Sequence, residues 1–185
     1  LGRPRRRAIG DGVSLGTKRR ASMSTVSMAS TRNESRAYKA TLWGGLIAGI
    51  LDITYAFVAS ALRSGRGPVW VLQSVASGLL GANTFEGGAG TAVLGAALHF
   101  LIAFTAAATY YVLSRQFKFL VRQAVIWGLI YGIVVYVVMN YVVLPLSAFP
   151  FKGGSPPLAV LVRNLVGHML LVGLPISLAV RRYSR

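Results

Sequence analysis

Long apolar runs broken by short polar stretches dominate the chain, and each run is too long for a strand. Four stretches reach the roughly 20 mostly apolar residues that a spanning helix needs: 41–62, 89–113, 123–146 and 158–180. A fifth run, 69–81, is too short to cross at about 1.5 Å per residue. Pro68 precedes it, Glu86-Gly87-Gly88 follows it, and Gln73, Ser77 and Gly81 recur every fourth residue, as one stripe of a helix. The pattern predicts an all-α integral membrane bundle of four transmembrane helices plus a short interfacial or re-entrant helix over about 69–81. A fifth span is the less favoured alternative.

Residues 1–40 break this pattern. They are rich in Arg and Ser with almost no hydrophobic periodicity, and include Arg3-Pro4-Arg5-Arg6-Arg7 and Lys18-Arg19-Arg20. Such composition buries too little to order itself, so the segment is expected to be a disordered basic arm ahead of one transmembrane domain, 41–185. The chain starts with Leu, and Met23 lies closer to the first span. The preferred reading makes 1–22 upstream sequence outside the native protein; an organellar transit peptide and a polybasic membrane-surface arm are the alternatives.

Charge sharpens the picture. The chain has 20 Lys and Arg against 4 Asp and Glu, a formal net charge of +16. A nucleic-acid partner would account for the excess only if the cations formed a stripe on a foldable domain. They flank the apolar runs instead, so no nucleic-acid partner is expected and the lipid bilayer is. Arg36, Lys39, Arg115, Lys118, Arg122, Arg181, Arg182 and Arg185 fall on one side, and only Arg63, Arg66 and Lys152 on the other. The positive-inside rule then predicts cytoplasmic termini. Trp43, Tyr110, Tyr111, Trp127 and Tyr183 would form the inner aromatic belt, and Trp70, Tyr141, Phe149 and Phe151 the outer one. With no cysteine, disulfides and thiolate metal sites are excluded.

Small residues indicate where helices meet. Gly45-xxx-Gly49 and Gly128-xxx-Gly132 are GxxxG pairs, which serve packing inside one chain or a homo-oligomer through those faces. The second span, rich in Ala and Gly, is the expected central helix. Pro175 should loosen the fourth span, and Pro145 marks the exit of the third.

Candidate chemistry lies at mid-span. Asp52, His99 and His168 each sit about ten residues, roughly 15 Å, into a different apolar run, which is the midplane of a ~30 Å core. Gln73, Glu86, Asn140, Arg163 and Asn164 form a second polar layer nearer the outer face. Ionisable groups at such depth are costly and need a partner or a purpose. The favoured purpose is interhelical hydrogen bonding in a structural or accessory membrane protein, with no cofactor and no enzyme activity. The alternatives are a solute, ion or proton pathway or pH sensor built on the midplane residues, and b-type haem held by the two histidines. A metal site would need further ligands, with Asp52 the one charged midplane candidate. Ala76-Ser77-Gly78 lacks the leading glycine of the rhomboid protease motif, and four spans are too few for that fold.

Leu98-His99-Phe100, a basic loop leading to Trp127-Gly128, the exit Leu144-Pro145-Leu146-Ser147, Gly167-His168 and the terminal Arg181-Arg182 occur in one order. Over about 90–182 this resembles the YagU-like family of small bacterial inner-membrane proteins. The loop after the first span is shorter here, and the surroundings of Asp52 depart from the family pattern. The resemblance implies a multi-pass protein of largely unknown activity linked to acid tolerance, and it assigns no catalytic or binding residue.

Overall fold

Backbone in hydrocarbon must satisfy its own hydrogen bonds, and each apolar run does so as a helix. The computed structural model describes residues 11–151 and 157–184, with side chains from Glu34 onward. In chain order the helices are α1 (Asp11–Ser64), α2 (Pro68–Leu80), α3 (Gly88–Gln116), α4 (Phe119–Arg122), α5 (Ala124–Leu146) and α6 (Leu158–Tyr183). A 3-10 turn, Gly81–Glu86, joins α2 to α3. Four of these are long and apolar enough to cross a membrane: α3, α5, α6 and the Glu34–Ser64 part of α1.

The chain divides into two units, Leu1–Arg36 and Ala37–Arg185. The second holds the bundle. α1 begins at Asp11, within the stretch expected to be an arm; residues 1–10 of that arm, and Lys152 and Arg185 of the charge count, lie outside the described residues.

Close approaches through small residues set the helix order. Gly44 of α1 faces Ala107 of α3 and Ile176 and Ala179 of α6, while Gly45 and Gly49 receive the Phe104 and Phe100 rings of α3. On α5, Gly128 and Gly132 meet Gly173 of α6, and a β-carbon at Gly132 would lie 2.5 Å from the His168 carbonyl oxygen. Both GxxxG pairs are thus filled from within the chain. Gly95 of α3 abuts the Leu72 carbonyl of α2. The second span therefore shares its central role with α6, because the glycine face of α5 finds its match at Gly173 and not on α3.

Two prolines, Pro145 and Pro175, each lie in the second half of one of the last two helices. Pro145 and Pro175 have no N–H to donate, and the ring crowds the carbonyl four residues back. Each helix widens just before its proline, into π-helical turns at Met139–Val143 and His168–Gly173. The widened turn of α6 is the segment that lies on Gly132.

The buried core sits toward the end of the bundle that carries Lys39, Arg115 and Arg181, where Ala40, Ala48, Ala107, Tyr110, Tyr111, Val172, Ile176 and Val180 pack together. Tyr110 and Tyr111, expected in the inner aromatic belt, are 1% and 7% exposed. The hydroxyl of Tyr110 explains its turn inward: it donates to the Leu120 carbonyl at 3.1 Å, so the group is satisfied without water. At the opposite end, Trp70, Phe85, Phe149 and Phe151 cluster, with the Arg66 guanidinium 4.2 Å above the Trp70 ring.

Candidate functional site

Asp52, His99 and His168 lie on α1, α3 and α6, and contacts along these helices fix their depths. Gly49 of α1 touches His99, so Asp52 lies one turn beyond that contact, about 4.5 Å along the axis. α1 and α6 run antiparallel, with Gly44 against Ile176 and Tyr55 against Gly167. That register brings His168 within a turn of Asp52 in depth. All three residues are half-buried.

Shared depth does not give shared partners. The Nε2–H of His99 donates to the Gly49 carbonyl oxygen at 2.9 Å, a bond from α3 to α1, and its ring meets Phe100 edge-on. His168 uses Nδ1–H to donate to the Asn164 carbonyl oxygen of its own helix at 2.9 Å, and its ring lies edge-on to Tyr136 of α5. Asp52 has neither a hydrogen bond nor an ion pair among the described residues. The same residues contain no group of three or more His, Cys, Asp or Glu placed to hold a metal.

Tyr55 completes the polar layer. Its hydroxyl donates to Asn164 Oδ1 at 3.3 Å, joining α1 to α6 one turn from His168. Sequence reasoning passed over it because tyrosine in an apolar run reads as a belt or packing residue. The available signal was its place one turn from Asp52, on the same side of the helix.

The outer layer separates into different roles. Gln73 is buried, and its amide donates to the Gly88 carbonyl at 3.1 Å and to Thr91 Oγ1 at 3.2 Å. The Thr91 hydroxyl in turn donates to the Thr84 carbonyl at 2.7 Å, so these residues lock α2 onto the start of α3. Asn140 donates to the Tyr136 carbonyl of its own helix, where the π-helical turn begins. Glu86 and Arg163 are exposed. Only Asn164 of this layer joins the midplane residues.

Chemically, the arrangement cross-links α1 to α3 and α1 to α6 through polar side chains at one depth. A carbonyl accepts each histidine's bonded N–H, which leaves one nitrogen on each ring outside these bonds. Compared with known protein families, curated proteins and solved structures, the chain gives no match.

Proposed function

We propose that this is a small structural or accessory protein of a bacterial inner membrane, with cytoplasmic termini and mid-span polar residues that hold its helices in register. The YagU-like resemblance of residues 90–182 belongs to this reading. The observation that carries it is the His99–Gly49 hydrogen bond, in which a mid-span histidine spends its N–H on a neighbouring helix. The Tyr55–Asn164 pair repeats the device between α1 and α6. Such contacts contribute about 0.6–2 kcal/mol each in membranes. α2, clasped to the outer start of α3 by Gln73, serves as an interfacial or re-entrant helix closing that end of the bundle.

His99→Ala tests the reading by thermal melting in detergent. It removes a bond and a packed ring, so the loss should be about 1–2 kcal/mol, with no change in vesicle permeability. A melting temperature equal to wild type would refute the role. Orientation has its own test, helped by the cysteine-free chain. A single cysteine at the exposed Gln116 should react with a membrane-impermeant maleimide only from the cytoplasmic side, and one at Gly65 only from the opposite side.

A second reading, a proton or ion pathway, draws on one observation. Asp52 is half-buried at mid-span without a bonded partner among the described residues, which is costly for a purely structural carboxylate. Faster cation flux in proteoliposomes than in empty vesicles, abolished by Asp52→Asn, would favour it. Equal flux would rule it out.

A further inference from the structure

The inner ends of α3, α4 and α6 border a half-open cavity that the polar layer does not use. It measures about 470 Å³ and is lined by Ser114, Arg115, Lys118, Val121, Arg122 and Ser184. That volume falls within the ~300–1,000 Å³ of ordinary ligand pockets. Three of its six lining residues are cationic and none is acidic; no Asp or Glu follows Glu86 in the chain. Arg115, Lys118 and Arg122 make no ion pair among the described residues.

Ser184 adds a second sign. Its hydroxyl is buried and has no hydrogen-bond partner among the described residues, whereas the Ser114 hydroxyl that also lines the cavity donates to the Tyr111 carbonyl at 2.6 Å. The positive-inside rule explains cations on this flank, yet it requires neither a cavity nor an unmatched buried hydroxyl within one.

Membrane-facing surface continues from the same place. Between α3 and α5 runs an apolar groove of about 460 Å³, lined along α3 by Leu101, Thr105, Thr109 and Leu113 and along α5 by Val134 and Val138. The Thr105 and Thr109 hydroxyls are spent on carbonyls of their own helix, so the groove offers mainly methyl and methylene surface. Leu113, at one end of the groove, immediately precedes Ser114 of the cavity.

We infer that the cavity binds the phosphate of an anionic phospholipid whose acyl chain lies in the α3–α5 groove. Arg115, Lys118 and Arg122 neutralise the phosphodiester and headgroup oxygens, and the Ser184 hydroxyl donates to one of them. Basic pockets between membrane helices recognise anionic headgroups in this manner. The inference depends on the chain being a membrane protein and not on what Asp52, His99 and His168 do.

The test is titration of the full-length protein in neutral detergent with short-chain phosphatidylglycerol, phosphatidylcholine or inorganic phosphate, followed by native mass spectrometry. Phosphatidylglycerol should saturate one site per chain, and the other two should not. Arg115→Gln with Arg122→Gln should weaken binding about tenfold or more, the scale of lost bonds to a charged group. Arg63→Gln with Arg66→Gln removes equal charge at the other end of the bundle and should leave binding unchanged. Ser184→Ala, which leaves charge intact, should weaken it about threefold, as loss of a single hydrogen bond does. Equal losses in the two charge pairs, or no saturable phosphatidylglycerol binding, would overturn the site. Inorganic phosphate binding as tightly as phosphatidylglycerol would overturn the lipid as its source.

Discussion

The two GxxxG pairs look alike in sequence and are filled in different ways. On α1, Gly49 makes room for the Phe100 ring and Gly45 for the ring and α-carbon of Phe104; on α5, Gly132 makes room for the backbone of α6 and Gly128 for the Ser177 side chain and the Gly173 carbonyl. A ring can turn aside; a backbone carbonyl within a helix cannot. The contrast is sharpest between Gly49, a yielding contact, and Gly132, a rigid one. The rigid one coincides with the π-helical turn at His168–Gly173, where Pro175 has widened α6. The α5–α6 seam thus depends on two features set far apart in sequence, a glycine face and a proline.

Substitutions should rank the two seams. Gly132→Ala should have the largest effect, because its β-carbon would lie 2.5 Å from both the His168 oxygen and the Met169 α-carbon. A loss of about 3 kcal/mol, the upper end for overpacking, is expected in detergent melts. Gly49→Ala meets the Phe100 ring at 2.8 Å and Ala103 at 3.3 Å, and should cost about 1 kcal/mol as the ring shifts. If both variants melted alike, the distinction between ring and backbone would fail. Smallest should be Tyr55→Phe, which removes only the 3.3 Å bond to Asn164, about 0.6 kcal/mol. Combined with Asn164→Ala it should lose no more than Asn164→Ala alone; full additivity would show that the pair does not interact.

These seams also mark where the sequence stops being informative. The four spans were legible because membrane burial demands about 20 apolar residues in a row, whatever their partners. Pro175 announced a loosened helix for an equally local reason. Pairing was not legible: nothing local tells Gly49 that its neighbour is Phe100, or Gly128 that it faces Gly173. Tyr110 likewise reads as an interfacial tyrosine until α4 supplies the Leu120 carbonyl for its hydroxyl. Of the candidate site, depth could be counted along each helix, but direction could not. Asp52 and His168 lie nearly level, yet His168 turns to Tyr136 and its own helix. The basic cavity was not legible as a site because its cations, taken singly, read as topology signals.

The most direct test of the polar layer as a set of packing contacts is dissipation of an imposed pH gradient in proteoliposomes of the wild-type protein. The account predicts the same rate as in protein-free vesicles. Faster dissipation that Asp52→Asn or His168→Ala returns to the vesicle rate would contradict it, and would turn the midplane residues into a pathway.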